Sequence, residues 1–211
     1  MAHPRKQPGD IEDQAALSAL ISTVRQEIVD TIEALGGDAA VADIAAQLGR
    51  PADGFYYHLR RLVDAGVLRE GEDRGDGRGR RYSTVAQRGK RIHLKYGRGS
   101  RSNTGTVGQV VAGMVRTAER DFARALGSGT AIGAGELRDL WASRLKGWVN
   151  DAELREINRM LVRLGELLQQ PRDPRRNRLV TLAWMLAPID GKPLRRTAPR
   201  GGARKTRPIA D

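Results

Sequence analysis

Two short apolar periods on either side of a five-residue connector constrain the fold of this chain more than any other feature. Over Val41–Gly49, the side chains Val41, Ile44, Ala45 and Leu48 recur at three- and four-residue steps, which is the inward stripe of a short helix. Gly49 is the residue type that commonly ends such a helix in a left-handed turn. Pro51 then suits the opening turn of a second helix, and Asp53 places negative charge near its positive dipole end. In that second helix, expected over residues 52–65, Phe55, Leu59 and Leu62 point inward. Tyr56, Tyr57, Arg60 and Arg61 fall outside the stripe.

A helix that exposes two tyrosines and two arginines suits phosphates and base edges better than bulk water. Ala65-Gly66 ends it, and Val67-Leu68 opens an extended run. Gly75, Gly77 and Gly79 interrupt that run among Arg74, Arg78, Arg80 and Arg81, before Tyr82-Ser83-Thr84-Val85 resumes strand character. Helix, turn, helix and basic-tipped hairpin together make a winged helix-turn-helix. The glycines read as turn residues, since no helix follows them to complete a phosphate-cradling loop.

At these residues the chain resembles the ArsR-like winged-helix transcriptional regulators. Ala45-Ala46-Gln47-Leu48-Gly49 is similar to the end of their second helix, and Tyr57-His58-Leu59-Arg60-Arg61-Leu62 to their reading helix. Asp64-Ala65-Gly66-Val67-Leu68 is similar to their helix-to-wing junction, and the likeness spans roughly Asp13–Val85. The resemblance implies a regulator that binds near-palindromic double-stranded DNA as a homodimer. Where the family carries a small hydroxyl residue two places before its His-Leu pair, this chain has Tyr56, so no base preference is carried over.

The candidate DNA contacts are Asp53, Tyr56, Tyr57, His58, Arg60, Arg61, Arg74, Arg78, Arg80 and Arg81. The bland alternative is a solvated charged face. His58 reads as a half-buried imidazole bonded to a neighbouring helix or to phosphate rather than a metal ligand, because His3 and His93 are remote in sequence. The chain has no cysteine, which excludes disulfides, thiolate metal sites and cysteine catalysis. No cofactor is expected.

The 211 residues carry a formal net charge of +12, so a polyanionic partner is the default expectation. No apolar run reaches membrane-spanning length and the N-terminus has no hydrophobic signal core, so a cytoplasmic location without membrane contact is expected. Neither a nucleophile with a base nor a carboxylate pair can be assembled, and an enzyme is not expected. The competing class is a winged-helix adaptor for protein or RNA contacts.

Residues 1–12 read as a flexible tail, 13–96 as the winged domain, 97–106 as a Gly/Ser linker, and 191–211 as a disordered basic tail. From Asp13 to Leu35, Ala16, Leu17, Leu20, Ile21, Val24, Ile28, Ile32 and Leu35 predict one long helix. Its first turns overhang the reading unit and need a cover, either the second half of the chain or the same helix of another copy. Asp38 reads as a cap for the helix that follows.

Residues 107–190 read as an α+β companion domain for effector binding or dimerisation, making the whole chain α+β. Its expected elements are a helix over Thr106–Leu126, a strand within Glu136–Val149, a helix opened by Asn150-Asp151-Ala152-Glu153 and a strand within Arg178–Ile189. A short strand is also expected around Ile92–Tyr96. Trp141, Trp148 and Trp184 are either large core residues of that sheet or the walls of a pocket for a small-molecule effector.

Overall fold

The computed structural model describes residues 10–11, 14–85, 93–94, 103–170 and 173–191. The expected tails at 1–9 and 192–211, and the linker over 97–102, lie outside the described residues.

The winged domain begins with strand β1 (Asp10–Ile11), so the expected N-terminal tail contains a strand at its end. Helices α1 (Gln14–Ala19) and α2 (Thr23–Ala34) follow. The long helix expected from Asp13 to Leu35 is therefore two helices, broken at Leu20–Ser22. The break persists because the first turn of α2 satisfies the carbonyls that end α1. Gln26 Nε2 donates to Leu20 O at 2.6 Å, and Arg25 Nε donates to Ala19 O.

Strand β2 (Asp38–Ala40) leads into α3 (Val41–Leu48), which ends at Gly49 with φ +64° as its sequence predicts. Asp38 is thus a strand residue and not a helix cap. Ala40 at the N-cap has no side-chain oxygen to offer, and the carbonyls of Arg80 and Arg78 accept from Val41 N and Ala42 N, each at 3.1 Å. The start of α3 is capped by a distant part of the chain. A 3₁₀ turn over Ala52–Phe55 precedes α4 (Tyr56–Asp64), so the second expected helix is tighter in its first turn.

Strands β3 (Leu68–Glu70) and β4 (Arg81–Thr84) are the two sides of the wing, antiparallel with Arg69 opposite Ser83. Strand β2 pairs antiparallel with the other edge of β4, giving the order β2-β4-β3. Strand β5 (His93–Leu94) falls within the expected short strand and lies parallel to β1. Phe55, Leu59 and Leu62 from α4, Val41 and Ile44 from α3, and Ile28 and Ile32 from α2 fill the core. Each contributes about 1.5–3 kcal/mol on burial. Tyr82 joins them from β4.

Helix α5 (Thr104–Ser128) starts inside the expected linker and supplies the cover for α1 and α2. Val110 is buried in the same core as Leu17 and Leu20, and Val107 packs against that core. The chain itself therefore covers the overhanging apolar face. Gln26 Nε2 also donates to Val110 O at 3.0 Å, and a Cβ on Gly113 would come within 2.9 Å of that nitrogen, so any larger residue there displaces the Gln26 amide. Glu27, 8 % exposed, takes Arg50 from the α3–α4 connector at 3.2 Å and Arg120 of α5 at 2.6 Å. One buried carboxylate ties three segments together.

Beyond Arg120 the packing thins. Leu126, on the apolar stripe expected to face inward, is exposed, as Val115 already is one turn before Arg120. Helix α6 (Asp151–Leu168) opens with the reciprocal cap its sequence predicts: Asn150 Oδ1 accepts from Ala152 N and Glu153 N, and Glu153 Oε2 accepts from Asn150 N. None of its side chains is buried. The strands expected within 136–149 and 178–189 are absent: these runs form neither helix nor ladder. Strand-like alternation needs a partner edge to become a strand, and the chain does not bring one to either run.

Candidate nucleic-acid interface

Helix α4 presents two rows of side chains four residues apart on the side opposite Phe55, Leu59 and Leu62. One row is Tyr56 and Arg60, the other Tyr57 and Arg61, and all four are exposed, Tyr57 by 66 %. The first row faces the wing. The Tyr56 hydroxyl lies 3.5 Å from where a Cβ on Gly79 would sit, and the Arg60 charge is felt by Glu70 on β3. The second row faces α2, where Arg25 interacts electrostatically with Tyr57 and Arg61.

The wing tip is built from alternating turns. Asp73 Oδ1 accepts from Gly75 N at 2.9 Å and Asp76 Oδ1 from Arg78 N at 3.0 Å, while Gly75, Gly77 and Gly79 take φ between +69° and +75°. These are turn glycines. Their contribution is shape, letting the tip fold back so that the Arg78 and Arg80 carbonyls reach α3.

The arginines divide into two groups. Arg81 is held by Asp38 across the β2–β4 pair and is only 18 % exposed at its side chain, so it is a sheet residue and not a free contact. Arg80 pairs with Glu70 at 2.6 Å and Arg78 with Asp43 at 3.4 Å. Among the described residues, Arg60, Arg61 and Arg74 have no ion-pair partner and offer all their donors outward. Glu70 also accepts from the Tyr82 hydroxyl at 3.2 Å. Hydrogen bonds from Arg80 hold its carboxyl below the usual range, and burial pushes the Tyr82 phenol up to about 12. The Arg80–Glu70–Tyr82 cluster therefore keeps one protonation state across the neutral range. Asp53 is exposed in the 3₁₀ turn that leads into α4.

His58 is half-buried beside Tyr57, ring centroids 5.3 Å apart and edge to face. Its Nδ1 is buried and finds no acceptor or donor, so the expected bond to a neighbouring helix is not made there. Burial, with the Arg25 guanidinium adding to it, lowers its pKa. Arg25 stands beside the exposed α4 residues and is missed by sequence reasoning. It lies about thirty positions before the α4 residues it accompanies, and nothing in the α2 pattern distinguishes it from any polar-face arginine.

The three tryptophans do not form a closed pocket wall. Trp141 and Trp148 are 66 % and 71 % exposed, Trp184 is half-buried, and the Arg138 guanidinium stacks 3.8 Å from the Trp141 ring centre. Among the described residues no helix is long and apolar enough to cross a membrane.

Residues 20–71 match the family model described as a helix-turn-helix domain, which takes in α2, α3, α4 and β3. The N-terminal part of the chain thus contains a helix-turn-helix domain, with a small antiparallel sheet whose strands β2 and β3 lie within it and β4 just beyond, an architecture that points to a DNA-binding regulator. No curated protein matches the chain.

Proposed function

We propose that the protein is an ArsR-like winged-helix transcriptional regulator that binds duplex DNA as a homodimer on a near-palindromic site. Helix α4 enters the major groove, and the wing touches the flanking backbone. Half-sites are then spaced by about one helical turn, roughly 34–36 Å. The observation that carries this reading is the exposed ridge of Tyr57, Arg60 and Arg61 on a helix whose opposite side is fully buried. Free guanidinium groups on such a helix reach guanine O6 and N7 bidentately, and tyrosine hydroxyls reach phosphate. Arg74 at the wing and Arg25 beside Tyr57 extend the cationic face on either side.

The chain works by binding and not by catalysis in this reading, in the cytoplasm and without a bound cofactor. A gel shift with specific and non-specific competitor DNA tests it. Arg60→Ala is expected to abolish selectivity, a loss of about 1–3 kcal/mol for the specific site, and to leave non-specific binding nearly intact. Unchanged selectivity, or equal affinity for duplex DNA and structured RNA, would transfer the chain to the adaptor class.

A further inference from the structure

The second half of the chain leaves an unusual amount of apolar surface in water. Of the large apolar side chains that are exposed, sixteen fall between Leu137 and Ile189 and four elsewhere. Exposed by 39–90 % each, they amount together to on the order of 1,000–1,500 Å². A stable interface needs roughly 800 Å² from each partner.

The backbone is unpartnered as well. Among the described residues, no N–H group of 141–149 or of 178–189 joins a backbone–backbone hydrogen bond. The two runs nonetheless lie beside each other in the same order. Arg178 meets Asp139 at 3.9 Å near one end, and Gly191 lies against the Trp148 ring near the other, where a Cβ would come within 2.9 Å. Between them in sequence, α6 carries Leu154, Ile157, Leu161 and Leu164 at helical spacing, Leu154 and Leu164 exposed and Ile157 and Leu161 only half-buried.

The winged domain does not provide the cover. Helix α5 is about 37 Å long, its last ion pair with that domain among the described residues is Arg120 to Glu27, and Leu126 beyond it is 63 % exposed. Charge narrows the choice of partner further. Residues 136–191 hold ten basic and eight acidic side chains, whereas the whole chain has a net charge of +12, so nearly all the excess lies elsewhere. A surface that must meet an identical surface has to be close to neutral, and this one is.

We infer that residues 136–191 form the seam between two copies of this chain. The unpaired runs at 141–149 and 178–189 of one copy complete a sheet with those of the other, and the apolar side of α6 closes over it. The seam rests on the homodimer reading above and locates it away from α1, whose apolar side α5 already covers.

The full chain is tested by sedimentation equilibrium at about 10 µM, together with the double variant Leu145→Glu/Leu182→Glu and the control Ile21→Arg. Wild type and Ile21→Arg are expected to be dimers. The double variant is expected to dissociate at least about 30-fold more readily, with unchanged far-UV circular dichroism and unchanged binding to a single half-site. Because the natural chain has no cysteine, single cysteines placed one at a time over residues 141–146 give an independent reading, and at least one is expected to form an intermolecular disulfide. A dimer that survives the double variant and dissociates with Ile21→Arg overturns the seam and leaves the homodimer standing. A wild-type monomer overturns both, and the same holds if that monomer's apolar surface is covered by a foreign protein. Sequence-selective DNA binding is read separately in the gel shift, so its failure is distinguishable from either.

Discussion

Glu27 shows how a single buried charge fixes a connector. It is held by Arg50, which immediately precedes the turn into α4, and by Arg120 of α5. Both arginine side chains are more than a third exposed, so solvent screening keeps the pair energies below those of a fully buried ion pair. Glu27→Ala is expected to cost about 1–3 kcal/mol in urea unfolding, because two guanidinium groups lose their common acceptor. Phe55→Ala, which empties a site only 2 % exposed beneath α4, is expected to cost about 3–5 kcal/mol.

His58 gives the pH dependence. Burial lowers its folded pKa below the unfolded value of about 6.5. The unfolded chain therefore takes up a proton first as the pH falls. The stability linked to this group is complete above about pH 6.5 and is lost as the pH drops through and below that value. The difference in melting temperature between wild type and His58→Gln, followed from pH 7.5 to 5, is expected to shrink for this reason. A constant difference would show that the imidazole does not titrate with unfolding.

At the scale of elements, a left-handed glycine shapes the wing and a second glycine leaves room for the approach that seats α5. Gly79 sits at φ +75° with the Tyr56 hydroxyl near its missing Cβ. Gly79→Ala costs about 1–2 kcal/mol in backbone strain and is expected to loosen the wing from α4, weakening DNA binding without a change in α4 helicity. Gly113 lets α5 lie on Gln26, and Gly113→Val is expected to lower stability by about 1–3 kcal/mol as the added methyl groups push the Gln26 amide off Val110 O. Neither approach can be foreseen from α2, α4 or α5 read singly. The bounds of α3 and α6 could be, since Gly49 and Asn150 end and begin those helices through contacts within a few residues.

Over the whole molecule, cationic character should appear as a steep salt dependence. For Z neutralised phosphates the logarithm of affinity falls with that of salt by about 0.9Z. Seven basic residues lie at and beyond Lys192. Removing residues 192–211 is expected to lower that slope by several units while leaving the ratio of specific to non-specific affinity unchanged.

The local pattern of apolar residues determined, unaided, the two short helices at the centre of the winged domain, their buried residues and the exposed tyrosine–arginine ridge. Hydrophobic period and end-capping act over one or two turns, and one or two turns of sequence contain them. Tertiary structure alone decided which wing arginines stay free, because Asp38, Asp43 and Glu70 reach Arg81, Arg78 and Arg80 only once three strands and α3 are assembled. It also set Arg25 beside Tyr57 and broke the first long helix at Leu20–Ser22, where side chains of one helix satisfy carbonyls of another. Alternation in 136–149 and 178–189 specified surfaces able to pair but not what pairs with them, since a strand needs hydrogen bonds from an edge that those residues do not contain.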